Sequence, residues 1–220
     1  MSNYPSYKKQ FDLLNATEKE TLGKMPHLEK IDGWLLLIEA VKLFDLSKQI
    51  TSPSPIICEI GTWKGKSAYI FASAIKGGKG VLYCVDPFNG DGDNASKDTY
   101  LKEIKKLHIT PIQNFKMTMN KYALGQYIKI LPMLSGKARK KFNESRIDLL
   151  FIDGNHEYES VKNDYELWAP LIPSGGVIVL HDVGAIHVDG PKRVFEEYIL
   201  NNPMWKNTSI VGEMAIATKI

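Results

Sequence analysis

The sequence predicts an α/β protein built on a mostly parallel sheet with helices on both faces, and three observations support this fold class. From about residue 55 onward, short apolar runs alternate with helical segments. Each run has the length of a strand and is bounded by glycine, proline or polar residues. Polar residues also stand where the runs end. Because parallel sheets bind ligands at the carboxyl ends of their strands, this pattern indicates the edge of the sheet that carries the site.

The order of the predicted elements follows the chain. Five predicted strands cover residues 56–60, 81–85, 127–131, 147–152 and 177–180. The predicted helices cover residues 67–75, 98–107, 113–124 and 191–201, with one more on which Tyr158, Val161, Tyr165 and Trp168 share a face. Two further strands, 208–212 and 214–219, are predicted at the end of the sheet.

Residues 1–54 are predicted to form an N-terminal helical extension, and residues 55–220 the α/β domain. Between Trp34 and Phe44, apolar residues crowd one broad face, as in a helix that packs on a core. The segment Ser52-Pro53-Ser54-Pro55 then interrupts the chain. The extension is expected to pack on the domain or to cover its substrate.

The composition argues against several classes of function. The 220 residues fit one α/β domain, and an apolar content of 44% supplies a sizeable core. A net charge of +3, from 28 basic and 25 acidic residues, is too balanced to indicate nucleic acid or a membrane surface as a partner. No apolar stretch resembles a signal peptide or a membrane span, so a cytoplasmic protein is expected. Cys58 and Cys84 lie in apolar runs and are expected to be buried free thiols.

A glycine loop follows the first predicted strand, in the segment Glu59-Ile60-Gly61-Thr62-Trp63-Lys64-Gly65-Lys66-Ser67. Glycines at 61 and 65 let the backbone approach a ligand and turn into a helix whose N-terminus faces that ligand. A Walker A phosphate loop needs four residues between its glycines, whereas three separate Gly61 from Gly65. The Gly-x-Gly-x-x-Gly fingerprint of dinucleotide-binding proteins is absent. Glu59 suits a cationic ligand and would repel phosphate.

Two alternatives stay open for this loop. A lone glycine pair after a strand is most often a tight turn without a ligand. The segment Leu149–Asp153 also resembles the acidic strand of a nucleotide hydrolase, so a P-loop-like hydrolase is the alternative enzyme. Asp86 favours a third interpretation, because it ends the second strand 25 residues after Gly61 (86 − 61), where a carboxylate can accept hydrogen bonds from both ribose hydroxyls. S-adenosylmethionine combines a ribose with an amino group and a sulfonium and has no phosphate.

Together, these motifs resemble those of class I S-adenosylmethionine-dependent methyltransferases. The glycine loop looks like their first motif, particularly that of the catechol O-methyltransferase-like enzymes. The blocks Phe151-Ile152-Asp153-Gly154-Asn155-His156-Glu157-Tyr158 and Pro173-Ser174-Gly175-Gly176-Val177-Ile178-Val179-Leu180-His181-Asp182 are similar to a bacterial family that includes macrocin O-methyltransferase and the cephalosporin-hydroxylase-like proteins. The match covers roughly residues 55–185. It implies a Rossmann-like, seven-stranded sheet whose last strand is reversed.

The resemblance implies S-adenosylmethionine as the cofactor and assigns contacts to it by position. Contacts to its methionine part are expected from the loop residues Glu59, Gly61, Thr62, Trp63 and Gly65. The other expected contacts are Ser67 to the carboxylate, Asp86 to the ribose, Ser135 near the adenine, and Asp153. The polar segment 89–94 is expected to be a flexible flap over the cofactor.

The resemblance also implies a catalytic centre formed by Asp153, His156, His181 and Asp182. Asp153 and Asp182 would share a divalent cation, and their oxygens suit Mg²⁺. Family members often carry an acid or asparagine beside the second aspartate, where this sequence has His181. In the alternative without a metal, Asp153 contacts only the cofactor and Asp182 only caps a turn. His156 lies where related enzymes place a catalytic base, and His181 is a second candidate base or ligand.

The sequence thus predicts an O-methyltransferase that acts on a small hydroxylated molecule of the sugar or natural-product type. The alternatives are a P-loop-like nucleotide hydrolase and a non-catalytic S-adenosylmethionine-binding module of the same fold. Neither a nucleic acid nor a membrane is expected as a partner, and a homo-oligomer is left open. The substrate lid is expected in segments 1–30 and 89–126, with Tyr4, Tyr7, Tyr100 and Phe115 as candidate lining residues.

Overall fold

In the computed structural model, which describes residues 5–90, 92–93 and 96–220, seven strands form one sheet. The strands are β1 (Ile56–Ile60), β2 (Val81–Val85), β3 (Ile128–Leu131), β4 (Leu149–Ile152), β5 (Val177–Leu180), β6 (Trp205–Val211) and β7 (Met214–Lys219). Their order is β3-β2-β1-β4-β5-β7-β6, and only β7 runs antiparallel to its neighbours. The predicted Rossmann-like, mostly parallel sheet is therefore confirmed.

Helices cover both faces of this sheet. They are α1 (Tyr7–Leu13), α2 (Ala16–Gly23), α3 (Leu37–Lys48), α4 (Lys66–Ile75), α5 (Lys97–Lys105), α6 (Pro111–Lys121), α7 (Ser135–Arg139), α8 (Tyr158–Trp168) and α9 (Gly190–Phe195), which continues as a π-helical turn to Leu200. Short 3₁₀ turns lie at Leu28–Lys30, Gly125–Tyr127 and Ala169–Leu171. None of the helices within the described ranges is long and apolar enough to cross a membrane.

The strand order leaves an opening between β1 and β4. The chain continues from β1 to β2 on one side of β1, whereas β4 pairs with β1 on its other side. The loops that follow β1 and β4 therefore diverge at the carboxyl edge of the sheet. Such a reversal of strand order is where open α/β sheets bind their ligands.

Alternate residues of the buried strands supply two apolar cores, one on each face of the sheet. Ile57 and Phe151 belong to the core beneath α3 and α4, whereas Cys58 and Leu150 belong to the core beneath α8 and α9. Helical residues before β1 join the first core, among them the buried Leu22 of α2 and Leu43 of α3. The N-terminal extension thus packs directly on the sheet. Both cysteines are free and buried, as the sequence predicted.

One boundary difference is in β6, which begins at Trp205, three residues before the predicted start. The pairing of β6 with β7 shifts register between Lys206 and Ser209, and Asn207 has a φ of 52°. This irregularity interrupts the alternation on which strand prediction depends, because an inserted residue reverses the side chains that follow it.

Candidate functional site

The two loop glycines adopt conformations and occupy positions that exclude a side chain. Gly61 and Gly65 have φ values of 90° and 91°. A Cβ atom on Gly61 would lie 1.9 Å from the carbonyl oxygen of Asp153, and one on Gly65 would lie 2.6 Å from the Phe115 ring. Glycine is thus required at both positions because a side chain would clash with neighbouring residues of the protein. The sequence had indicated only the close approach of a ligand.

Asp86 holds the glycine loop from the end of β2. Its Oδ2 accepts hydrogen bonds from the backbone N–H groups of Thr62 and Trp63, both at 2.8 Å, and its Oδ1 accepts one from Phe88 at 2.5 Å. Trp63 lies in the left-handed region with a φ of 49°. The carboxylate that was predicted to bind ribose thus also fixes the shape of the loop that would bind the rest of the cofactor.

Glu59 lies beneath this loop with an exposed fraction of 0%. Neither of its carboxylate oxygens accepts a well-oriented hydrogen bond from the described residues, although Thr62, Ser67 and Cys84 lie beside it. Burial raises the pKa of Glu59 to about 7, against the opposing effect of those three neighbours. A buried carboxylate without a partner costs free energy, so its position indicates a missing donor.

Two cavities meet at the glycine loop. The larger has a volume of about 890 Å³ and extends from the loop to the acidic and histidine side chains after β4 and β5. The smaller, of about 300 Å³, lies between the ends of β1 and β2 and the helices α7 and α8. The residues that line both are Gly61, Trp63, Tyr100 and Asp153.

The smaller cavity brings together residues that the sequence assigned to the ribose and adenine. Asp86 and Ser135 both line it. The Ser135 hydroxyl donates a short hydrogen bond to the carboxylate of Asp164, a buried residue of α8. Burial raises the pKa of Asp164 to about 6.

The larger cavity has an aromatic wall and a floor of acids and histidines. Trp34 stacks on Trp63 with ring centroids 5.7 Å apart, and Tyr100 meets both rings edge-on at 5.4 and 4.6 Å. Thr62, Ser67 and Lys66 of the glycine loop line the same cavity. The loop therefore reaches the cavity that contains the candidate catalytic residues.

His156 contacts two carboxylates through its two ring nitrogens. Its Nδ1 lies 2.6 Å from Oδ2 of Asp93, and its Nε2 lies 3.0 Å from Oδ2 of Asp182, although the contact at Nε2 is not oriented as a hydrogen bond. Burial alone would lower the pKa of His156, but the carboxylates of Asp182 and Asp93 raise it to about 10. In this geometry the imidazole is therefore protonated at neutral pH, whereas the sequence interpretation assumed an ordinary pKa.

His181 forms a second buried link between acids. Its Nδ1 lies 3.0 Å from Oδ2 of Asp182 and 3.3 Å from Oδ1 of Asp153, and its Nε2 lies 3.3 Å from Oε2 of Glu39. These carboxylates raise the pKa of His181 well above its usual range, although burial opposes them. Burial raises the pKa of Asp153, whereas the imidazoles of His156 and His181 hold the pKa of Asp182 well below its usual range despite its burial.

The predicted magnesium ligands Asp153 and Asp182 do converge, but the set of donors around them does not fit Mg²⁺. Within the described residues, ligand atoms of Asp153, His181 and Asp182 lie within 4.8 Å of one another. Mg²⁺ prefers six oxygen ligands in octahedral geometry, whereas this set includes an imidazole nitrogen and its carboxylates already face imidazoles. Asp182 has a φ of 58°, and its side chain contacts these imidazoles instead of capping the turn that follows.

The structure separates the candidate lid residues. Tyr100 lines both cavities, whereas Phe115 is fully buried against Gly65. Tyr7 packs on the first core, and Tyr4 lies outside the described residues. Asp91 and Asn94 of the expected flap also lie outside them, but Asp93 of the same segment contacts His156.

Sequence reasoning missed Glu39 and Asp93 as members of the site, and His187, which lines the larger cavity. Glu39 is 142 residues from His181, so no spacing rule joins them. A signal for Glu39 did exist, because it is the one acidic residue in the mostly apolar run 34–44. For Asp93 the sequence offered no signal of a role in the site beyond its place in a polar loop.

The family comparison agrees with this geometry. A protein-family model described as "Methyltransferase domain" matches residues 58–183. Two curated relatives are each 31% identical to the chain: an uncharacterized protein of Sinorhizobium fredii over 135 residues, and one of Acanthamoeba polyphaga mimivirus over 126 residues. These alignments cover 57% and 56% of the chain but only 13% and 49% of the relatives, so the chain spans less than half of either protein.

Solved structures share the fold at low sequence identity. The O-methyltransferase NovP aligns with a TM-score of 0.66 and 14% identity over 83% of this chain and 80% of its own. An O-methyltransferase from Bacillus cereus in complex with SAH aligns with a TM-score of 0.64 and 16% identity over 96% of both chains. These similarities support the fold, and the family match covers the glycine loop and both segments that carry the candidate catalytic residues. The chain belongs to the methyltransferase-domain family, which confirms the class I methyltransferase assignment made from its motifs.

Proposed function

We propose that the chain is an S-adenosylmethionine-dependent O-methyltransferase that acts on a small hydroxylated acceptor of the sugar or natural-product type. The observation that carries this proposal is the buried Glu59 carboxylate, which accepts no well-oriented hydrogen bond from the described residues and lies beneath a loop that opens into two cavities. Several structural neighbours are named O-methyltransferases, which supports oxygen as the methylated atom. Because Glu59 disfavours phosphate, we do not favour a nucleotide hydrolase.

The residues around the loop fit the parts of this cofactor. Glu59 lines neither cavity, so its carboxylate can pair with the ammonium only where the ammonium reaches beneath the glycine loop. Ser67 in the first turn of α4 can donate to the cofactor's carboxylate at the positive end of the helix. Asp86 and Ser135 border the smaller cavity, whose size suits an adenosine group. The cofactor supplies an electrophilic methyl group when it is bound.

The acceptor is proposed to occupy the larger cavity, with its ring along Trp34 and Tyr100 and its hydroxyl near His156 and Asp182. Alignment of the acceptor oxygen with the methyl carbon supplies much of the rate in such a substitution. His156 can accept the hydroxyl proton only after losing its own, because Asp93 and Asp182 keep it protonated. No step is assigned to Mg²⁺, because the donors do not fit it.

Calorimetry with S-adenosylhomocysteine and with ATP tests the cofactor assignment. We expect saturable binding of S-adenosylhomocysteine and none of ATP at the same concentration. Binding of ATP alone would favour the nucleotide hydrolase that the sequence left open.

Turnover on a panel of catechols, sugars and hydroxylated natural products tests the reaction. We expect His156→Ala to reduce turnover by at least about 100-fold with little change in S-adenosylhomocysteine affinity, the usual size of a general acid–base contribution. The matched control is His108→Ala, because His108 is exposed. Unchanged turnover in His156→Ala would remove this residue from the mechanism, and cofactor binding with no turnover on any acceptor would favour the non-catalytic module.

A further inference from the structure

Glu39 is a charged residue in the first turn of α3 whose exposed fraction is 0%. Its Oε2 accepts a hydrogen bond from the backbone N–H of Leu36 at 2.7 Å, and its Oε1 accepts one from the backbone N–H of Glu213 at 2.6 Å. Two anchors on different oxygens fix the plane of the carboxylate. Oε2 also lies 3.3 Å from Nε2 of His181. This carboxylate is therefore held in place before it meets the imidazole.

The turn between β6 and β7 is shaped around the same carboxylate. Gly212 has a φ of 60°, and a Cβ atom there would lie 2.4 Å from Oε1 of Glu39. The carbonyl of the next residue, Glu213, accepts hydrogen bonds from the backbone N–H groups of Val183 at 2.8 Å and Gly184 at 3.2 Å. Glu39 thus contacts the segment after β5 twice, directly through His181 and indirectly through the main chain of Glu213.

The fixed carboxylate determines which way the His181 ring faces. Carboxylates accept hydrogen bonds, so the Nε2 that faces Glu39 carries a hydrogen. A ring rotated by half a turn would place a carbon atom there and lose the contact. With Nε2 held, Nδ1 faces Asp182 at 3.0 Å and Asp153 at 3.3 Å. The imidazole is therefore a spacer of fixed orientation between α3 and the two aspartates.

We infer that Glu39 is a positioning residue, supplied by the N-terminal extension, that fixes the orientation of His181 and through it the carboxylates of Asp153 and Asp182. Its role in catalysis rests on the function proposed above, whereas its control of His181 does not. Glu39 lines neither cavity, so it acts only through its neighbours. A partner held in this way orients a histidine as outer carboxylates do in other active sites.

Spectra of ¹⁵N-histidine-labelled protein test this control directly. Long-range ¹H–¹⁵N correlations report which ring nitrogen carries a hydrogen, and His181→Asn identifies the His181 signals. In the wild type we expect hydrogens on both ring nitrogens, because Glu39 faces Nε2 and the two aspartates face Nδ1. In Glu39→Gln the side chain offers one oxygen to two backbone donors and to the imidazole, so we expect loss of the fixed Nε2–H pattern.

Two further variants separate positioning from a general effect on folding. Asp148→Asn alters another buried carboxylate, whose Oδ2 accepts a hydrogen bond from Ile56 at 2.7 Å at the opposite end of the strands. We expect it to lower the melting temperature without changing the His181 signals. Gly212→Ala keeps the Glu39 carboxylate but crowds it, so we expect a shift of the His181 signals in a folded protein even if Glu39→Gln does not fold.

Separate results decide whether Glu39 controls His181 and whether the protein binds the cofactor. His181 signals that stay as in the wild type in Gly212→Ala and in folded Glu39→Gln would overturn the inference. S-adenosylhomocysteine is the probe for the proposed function, and we expect its affinity to change less than twofold in Glu39→Gln. If the wild type does not bind S-adenosylhomocysteine, the proposed function fails, whereas the His181 spectra still decide the role of Glu39.

Discussion

Glu59 and Glu39 are both completely buried, yet their surroundings are opposite. Glu39 accepts two backbone hydrogen bonds and faces an imidazole, so its charge is matched within the protein. Glu59 has the hydroxyls of Thr62 and Ser67 nearby but no well-oriented donor among the described residues. A matched buried charge builds the site, whereas an unmatched one stores free energy that a cationic ligand can release. The two carboxylates are equally buried, so their roles are distinguished by the hydrogen-bond donors around each of them.

The largest effect is expected from Gly61→Ala, which would break the loop above Glu59. Its Cβ would lie 1.9 Å from the backbone oxygen of Asp153, and neither backbone can move without displacing the site. We expect a loss of more than about 4 kcal/mol in the free energy of unfolding, measured by urea denaturation.

Gly77→Ala is the matched control for Gly61→Ala. Gly77 has a similar φ of 84°, but a Cβ there would meet nothing within 4 Å. We expect a loss of about 1 kcal/mol from the conformation alone. Equal losses in the two variants would show that the conformation, and not the contact with Asp153, makes glycine necessary.

Removal of the matched charge is expected to have the next largest effect. Glu39→Ala would leave the backbone N–H groups of Leu36 and Glu213 and the imidazole of His181 without their acceptor. We expect a loss of about 3–5 kcal/mol in the free energy of unfolding. Glu20→Ala serves as a control, because Glu20 forms only an exposed ion pair with Lys24. If both variants are equally stable, the Glu39 network contributes nothing.

Neutralisation of the unmatched charge should act in the other direction. The pKa of Glu59 is raised to about 7, so its contribution to stability is complete below the unfolded value near 4.5 and is lost as pH rises through 7. Above that pH the ionised carboxylate costs about 3 kcal/mol, which Glu59→Gln avoids. We therefore expect the variant to be more stable than the wild type at pH 8 and similar at pH 4.5, measured by urea denaturation. The same pH dependence in both proteins would contradict the assigned pKa.

The smallest effect is expected at the surface, where a charge is screened. Lys64 lies 2.8 Å from Oε2 of Glu103 in α5 and 3.3 Å from Oδ2 of Asp32. Asp32 is largely exposed, so we expect Asp32→Ala to cost at most about 1 kcal/mol and less in 0.5 M salt. A loss comparable to that of Glu39→Ala would mean that this ion pair, and not the buried network, holds the extension on the domain.

The sequence predicted what depends on local pattern. The alternation of strands and helices indicated the sheet, and the glycine loop with Asp86 indicated the edge that carries the cavities. Asp153 and Asp182 were expected to converge because strand ends meet at one edge, and the family resemblance added His156 and His181. The structure brings the four residues within contact distance.

The sequence did not predict what depends on distant contacts. Glu39 meets His181 across 142 residues, and Asp93 meets His156 across 63. Burial lowers the pKa of His156, but Asp182 and Asp93 together raise it to about 10, and Glu39 contacts His181, so the state of the candidate catalytic centre depends on these distant contacts. The reason for glycine at 61 was likewise hidden, because it is the backbone of Asp153 on a neighbouring strand.

Calorimetric titration of S-adenosylhomocysteine into the wild type and Glu59→Gln at pH 8 tests the central claim most directly. At this pH Glu59 is mostly ionised, and loss of a charge-assisted hydrogen bond of about 1.5–3 kcal/mol corresponds to about 10- to 150-fold weaker binding. We predict binding to the wild type and a loss of affinity of this size in the more stable variant. Equal affinities, or no binding to the wild type, would contradict the account of Glu59 as the counter-charge of the cofactor.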